Sequence, residues 1–312
     1  MSKKEILEAC QNRITPYIHR TPVLTSTAIN DLVGASLFFK CENFQRMGAF
    51  KMRGATNAIM QLSDAQKQRG VVTHSSGNFA QAVSLAAKNL GISAEIVMPS
   101  NAPAVKQNAV IGYEGKITLC EPTLEARENA AQKIVADKGA TFIHPSNDID
   151  VIYGNATAAM ELLEDQSELE ILFAPIGGGG LIAGTALAAH FFGKNCSVIG
   201  AEPEEVNDAY RSLQSGKIEQ NKSANTIADG LRTTLGTINF PIIQNYVDHI
   251  ITVTEEQIIA AMKLIWERMK IIVEPSSAVA LAAIIANKAT FQNKKLGIII
   301  SGGNVDLKNL PF

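Results

Sequence analysis

The chain has 312 residues, 46% of them hydrophobic and 19% charged, enough for a large core and for one or two domains. Its 28 Lys and Arg against 30 Asp and Glu leave a formal charge of −2 with no basic block, which argues against a nucleic-acid partner held by phosphate neutralisation. The first residues, Met1-Ser2-Lys3-Lys4-Glu5, lead into a polar helix with no apolar signal core, and the apolar runs at 181–192 and 278–286 are too short to span a bilayer.

Short β-branched runs alternate with longer helical patterns along the chain. Strands are expected at 36–41, 71–74, 95–98, 116–120, 141–144, 170–176, 197–201, 250–253 and 296–301. Helices are expected between most of them, including 56–62, 79–90, 124–138, 182–192 and 255–269. This alternation implies an α/β chain whose mostly parallel sheets carry helices on both faces. Nine strands are many for one sheet, so two open twisted sheets are expected, with ligands beyond the carboxyl ends of the strands. The scattered Cys10, Cys41, Cys120 and Cys196 include no Cys-x-x-Cys pair and read as free thiols, hence a cytoplasmic protein.

Five segments carry side chains suited to chemistry. In Gly48-Ala49-Phe50-Lys51-Met52-Arg53-Gly54-Ala55 one lysine sits beside an aromatic ring, where a dried amine can act as a nucleophile rather than a surface charge. In Thr73-His74-Ser75-Ser76-Gly77-Asn78-Phe79 two hydroxyls, a glycine and an amide lead a helix, a turn that suits a carboxylate but equally suits plain capping. His74 there reads as a packed strand-end residue. Gly177-Gly178-Gly179-Gly180-Leu181 follows an apolar strand and opens a helix, which makes a phosphate cradle of bare backbone N–H groups. Glu202 and Asp208 stand on an acidic turn that either holds Mg²⁺ or Ca²⁺ or begins a solvated helix. Ser301-Gly302-Gly303-Asn304 ends an apolar strand with a neutral hydroxyl. A nicotinamide dehydrogenase is a rival reading, since Gly178-x-Gly180-x-x-Ala183 followed by Glu202 fits a loose dinucleotide pattern, but it leaves Lys51, Ser76 and Ser301 without a role.

Taken together and in this order, the segments around Lys51, Ser76, the four glycines and Ser301 resemble the fold type II pyridoxal-phosphate enzymes of the serine/threonine dehydratase and serine racemase family. The resemblance covers essentially the whole chain. It implies a large cofactor-binding domain of residues 1–44 and 141–312, a small substrate-side domain of residues 45–140, and pyridoxal 5'-phosphate in the cleft between them. Lys51 would carry the cofactor, flanked by Phe50, with Asn78 near the ring hydroxyl. Gly177, Gly178, Gly179, Gly180 and Leu181 would hold its phosphate, and Ser301 would meet its ring nitrogen. Ser75, Ser76, Gly77, Asn78, Phe79 and Arg127 would line the substrate site. Glu202, the Val206 carbonyl and Asp208 match a divalent-cation site for Mg²⁺ (or Ca²⁺ or Mn²⁺). Ser26, Gln81, Tyr113, Lys270 and Asn304 match a nucleotide site, for ATP as an allosteric ligand.

The implied activity is conversion of L-serine or L-threonine to a 2-oxo acid and ammonia, by a homodimer. Ser76 goes with racemase members, so serine racemisation is expected alongside. A threo-3-hydroxyaspartate dehydratase is the alternative, with Arg127 suited to a second carboxylate. Two positions depart from the family pattern. Phe79 stands where His is usual, and Gly154-Asn155-Ala156-Thr157 replaces Gly-Gln-Gly-Thr.

Overall fold

A computed structural model describes all 312 residues. It contains ten strands: β1 (Val23–Leu24), β2 (Ser36–Cys41), β3 (Val71–His74), β4 (Ala94–Pro99), β5 (Lys116–Cys120), β6 (Thr141–Phe142), β7 (Ile171–Pro175), β8 (Ser197–Pro203), β9 (His249–Val253) and β10 (Lys295–Ile300). They form a six-stranded sheet in the order β1-β2-β10-β7-β8-β9 and a four-stranded sheet in the order β5-β4-β3-β6. Every pairing is parallel except β1 on β2. Two mostly parallel sheets between helices is the architecture expected from the alternation of elements.

The central strands of the large sheet are apolar almost throughout because both their faces are covered. Alternate residues divide between two cores. Leu37, Phe39, Phe173, Ile298 and Ile300 pack towards the helices Glu255–Met269 and Pro275–Ala286. Leu172, Ala174, Val198 and Ile299 pack towards Ile149–Asp165 and Gly180–Phe192. Ile298 and Ile299 are fully buried, each stabilising the fold by about 1.5–3 kcal/mol. The small sheet is sandwiched likewise. Val71, Ile96 and Met98 share a core with residues of Lys51–Met60 and Asn78–Asn89. Val72 and Val97 meet Ala131 and Ile134 of Leu124–Lys138.

Four boundaries differ from the sequence reading. β1 has only two residues, too few for an alternation to register. The strand expected at 141–144 stops at Phe142, because the chain turns so that His144 Nδ1 accepts the N–H groups of Ser146 and Asn147. β6 pairs with β3, so the small sheet reaches past residue 140, where the large domain was expected to resume. The helix expected at 56–62 begins at Lys51, which makes the lysine its first residue. No helix is long and apolar enough to cross a membrane.

Candidate active site

The carboxyl ends of β3, β7 and β10 deliver three of the segments singled out in the sequence, and the Lys51 helix joins them. Backbone contacts lace Lys51 to the end of β10. Ala49 bridges Gly302, Phe50 N donates to Ser301 O at 3.0 Å, and Gly303 N donates to Gly48 O at 2.9 Å. The Lys51 amine donates to the Pro145 carbonyl at 2.7 Å and pairs with no carboxylate. It stands 5.1 Å from the Phe50 ring centroid and 5.4 Å from that of Phe79. Burial lowers its pKa to about 8, against the opposing charge of Glu274, so near neutrality a useful fraction of the amine is unprotonated.

Gly177–Gly180 runs between Ser146 and the 231–239 segment with no room for side chains. A Cβ at Gly177 would lie 2.7 Å from Leu231 Cα, one at Gly178 2.4 Å from Ser146 Oγ, and one at Gly179 2.7 Å from Leu235 Cδ2. Gly179 also takes φ +81°, which glycine adopts without strain. Asn239 Nδ2 braces the loop by donating to Gly178 O at 2.8 Å and Ser146 O at 3.1 Å. No side chain caps the helix that starts at Gly180, so its leading N–H groups are not taken up by one. Bare backbone at a helix start, opposite an amine of lowered pKa, fits an anionic aldehyde cofactor held by its phosphate at one end and by Lys51 at the other.

Ser301 is 3% exposed, its Oγ 2.9 Å from that of Ser277. Ser277 Oγ in turn donates to Gly302 O and accepts from Gly302 N, both at 2.7 Å. Asn78 Nδ2 donates to both oxygens of Glu274 at 2.9 and 3.0 Å, and Asn78 Oδ1 accepts from Asn304 at 2.8 Å. Burial raises the Glu274 carboxyl to about 7, with Asn78 opposing the shift and Asp229 adding to it. At the turn after β3 the helix Asn78–Asn89 has no side-chain cap. Gly77 is the N-cap residue, and a Cβ there would meet nothing within 4 Å. Ser75 Oγ accepts from Gly77 N at 3.3 Å, while the half-buried Ser76 hydroxyl has no protein partner. The capping explanation of this turn therefore does not hold.

His74 stacks on Phe142 with centroids 5.4 Å apart, a packed strand-end residue as expected. His144 is held neutral. Burial, then His74 and Lys51, lower its pKa to about 4, and its Nδ1 accepts two backbone N–H bonds. Arg127 lies on the helix Leu124–Lys138. Its Nε donates to Thr123 O of its own helix end at 3.3 Å, and its charge acts on His74.

The acidic turn lies apart, after β8. Both oxygens of Glu202 accept backbone N–H groups, from Ala209 at 3.0 Å and Tyr210 at 2.9 Å. Asp208 accepts from Asn221 at 2.7 Å and Leu235 N at 2.9 Å. Burial and then the neighbouring Asp208 push Glu202 well above the usual carboxylate range, and burial takes Asp208 to about 6. Val206 lies in the turn Glu204–Val206 between them. No group of three or more His, Cys, Asp or Glu is arranged to hold a metal ion, so protein carboxylates alone would supply a cation here with only two ligands. A separate cavity of about 410 Å³ is lined by Lys270 and Asn304 with Asn43, Phe44, Gly48 and Gly303, whereas Ser26, Gln81 and Tyr113 do not line it.

Sequence reasoning missed Glu274, Ser277 and His144. Glu-Pro-Ser-Ser at 274–277, a carboxylate opening an otherwise apolar helix, was the available signal for the first two.

Residues 14–302 match the family model described as pyridoxal-phosphate dependent enzyme, and the chain belongs to that family. Among its relatives, the serine racemase of Dictyostelium discoideum is 50% identical over 98% of this chain and 96% of its own length. The beta-hydroxyaspartate dehydratase of Paracoccus denitrificans (strain Pd 1222) is 48% identical over 99% of this chain and 98% of its own. The crystal structure of a T.th. threonine deaminase superposes with a TM-score of 0.92 at 39% identity, covering 97% of this chain and 98% of that one. The protein is a pyridoxal-phosphate dependent enzyme of fold type II.

Proposed function

We propose that the enzyme acts on small hydroxy amino acids, converting L-serine or L-threonine to a 2-oxo acid and ammonia and also racemising serine. The observation that carries this reading is the pairing of a half-buried Lys51 amine of lowered pKa with a partnerless Ser76 hydroxyl, whose turn packs on that amine through Phe79. Lys51 and Gly177–Leu181 would hold pyridoxal phosphate, with Asn78 and Ser301 at its ring. When bound, that cofactor supplies an electron sink which makes the α-proton of an amino acid removable.

The chain's own groups do the rest. The N–H groups of Ser76 and Asn78, which have no protein partner, orient the substrate carboxylate. The Lys51 amine, its pKa near 8, takes the α-proton at Nζ. The Phe50 and Phe79 rings flank that nitrogen. Ser76 Oγ delivers a proton to the α-carbon from a group other than the base, which inversion requires. When the β-hydroxyl of serine instead takes up a proton and leaves as water, hydrolysis of the released enamine consumes one water and yields pyruvate and ammonia; threonine yields the four-carbon 2-oxo acid in the same way. Ser301, a neutral hydroxyl tied to Ser277, places no charge at the ring.

We further propose that each sheet with its helices forms a domain, the cofactor between them, and that the enzyme is a homodimer of the cytoplasm; four unpaired thiols support a reducing compartment. The buried, mutually repelling Glu202 and Asp208 support a divalent cation such as Mg²⁺, its remaining ligands being the Val206 carbonyl and water. Lys270 and Asn304 on one cavity support a nucleotide such as ATP. The hydroxyaspartate reading is supported by two relatives, the Paracoccus dehydratase and an L-threo-3-hydroxyaspartate ammonia-lyase of Saccharomyces cerevisiae, and gives Arg127 the second carboxylate.

Incubating the purified enzyme with L-serine, L-threonine and threo-3-hydroxyaspartate tests the reading, with D-serine, 2-oxo acid and ammonia assayed together. Ser76→Ala is expected to lose D-serine formation and keep pyruvate formation. Pyruvate with no D-serine from the unmodified enzyme rules out the racemase activity.

A further inference from the structure

Two residues beyond Lys51, Arg53 is fully buried, and all its donors are engaged. Nε and Nη2 donate to the two oxygens of Glu42 at 2.7 and 2.8 Å. Nη1 and Nη2 donate to the two oxygens of Glu161, both at 2.8 Å. The remaining Nη1 proton reaches Thr157 Oγ1 at 3.1 Å. Lys40, also fully buried, pairs with Glu161 at 2.6 Å and donates to Thr21 O at 2.7 Å. Two cations and two anions therefore cancel inside the fold.

The partners come from two places. Glu42 follows β2 of the large sheet, while Thr157 and Glu161 lie one turn apart on Ile149–Asp165. That helix also touches the Lys51 helix backbone to backbone. A Cβ at Gly154 would lie 2.5 Å from Arg53 O, and one at Gly54 2.7 Å from Val151 O. It meets the cradle helix Gly180–Phe192 as closely, since a Cβ at Gly184 would lie 2.7 Å from both Ala156 N and Ile152 O. One helix is thus the shared wall between the lysine and the tetraglycine loop. The Lys51 helix itself has no side-chain cap, so its first turn depends on such outside ties.

We propose that Arg53 is a positioning residue: with Lys40, Glu42 and Glu161 it locks the first turn of the Lys51 helix against Ile149–Asp165, and so fixes how far the Lys51 amine stands from the tetraglycine loop. The proposal rests on the reading of Lys51 and that loop as the two anchors of the cofactor. A ligand held at two points binds well only when the span between the anchors is right. A lysine at 53 keeps the charge, but its ammonium has three donors and no fork, so it cannot grip two carboxylates bidentately.

The test compares three probes on cofactor-free protein: pyridoxal phosphate, which needs both anchors; pyridoxal, which needs the lysine alone; and inorganic phosphate, which needs the loop alone. Arg53→Lys is expected to weaken pyridoxal phosphate by about tenfold, the scale at which a small misplacement of paired anchors is felt, and to leave the other two probes unchanged. Equal losses for all three probes, or no loss for any, overturn the proposal. Should Arg53→Lys fail to fold, Thr157→Val removes one partner of Arg53 without touching charge, and the same selective pattern is expected at smaller size. Lys51→Ala serves as the independent control. If that variant still forms a borohydride-reducible visible band, the reading of Lys51 itself fails, whatever Arg53 does.

Discussion

Arg53 and Glu202 are both fully buried, yet their surroundings are built in opposite ways. Around Arg53 the chain supplies its own counter-charges. Burial alone would raise the Glu161 carboxyl, but Arg53 and Lys40 outweigh it and hold Glu161 below the usual range. Around Glu202 the chain supplies a second carboxylate, Asp208, and answers both with backbone and amide N–H groups, which do not bring either back to its ordinary range. Burying charge is tolerable where the geometry saturates it. Where it does not, protons must neutralise the site or a cation must.

The comparison breaks most visibly at the compensated cluster. Arg53→Met leaves two buried carboxylates facing Lys40 alone and is expected to cost about 3–5 kcal/mol of stability in urea unfolding. A loss no greater than that of a surface substitution would show the quartet to be slack.

The uncompensated pair should announce itself through pH. The folded Asp208 holds its proton to about pH 6, whereas unfolded it ionises near 3.8. Its share of stability is therefore complete below pH 3.8 and is lost as pH rises through 6. Over that 3.8–6 window the loss is about 3 kcal/mol in cation-free protein, with Glu202 shifting in the same direction. At pH 8, Mg²⁺ at a hundredfold excess over its Kd should return about 2.7 kcal/mol, seen as a rise in Tm. The same addition to Glu202→Gln should do much less. A Tm indifferent to Mg²⁺, Ca²⁺ and Mn²⁺ at pH 8 would mean that hydrogen bonds alone suffice there.

The smallest effect sets the baseline. Lys133 and Asp137 form an ion pair one helical turn apart in full view of solvent, and Asp137→Asn is expected to leave the urea midpoint where it was. A shift there comparable to that of Arg53→Met would show that charge, rather than burial, governs this fold.

How far these regions could be read from sequence depends on how local their signals are. The four glycines between a strand and a helix, and the lysine beside Phe50, announce themselves within a few residues. So does the alternation of strand and helix, and with it the two-sheet architecture. Lys40 does not: in Phe38-Phe39-Lys40-Cys41 it looks like the solvent-facing residue of an edge strand, because its partner Glu161 lies far along the chain on a helix. Glu274 is hidden for the same reason, its contact with Asn78 spanning 196 residues. Arg127 shows the limit from the other side. Its spacing matched a family position, but spacing carries no information about which way a long side chain turns, and this one turns back on its own helix. β1 and the early stop of β6 depended on pairings and a histidine turn that leave no periodic trace.

The place of β10 has a consequence for how the protein is made. The strand that sits between β2 and β7 in the middle of the large sheet is the last strand in the chain. During synthesis from the amino end, β2 and β7 wait with open edges until residues 295–300 emerge to close them. Only then can Gly303 and Ser301 lace onto Gly48 and Phe50. Residues 295–300 must thus be made before Lys51 acquires its final setting, and a ribosome that stalls short of them releases a chain with sticky sheet edges and no working site.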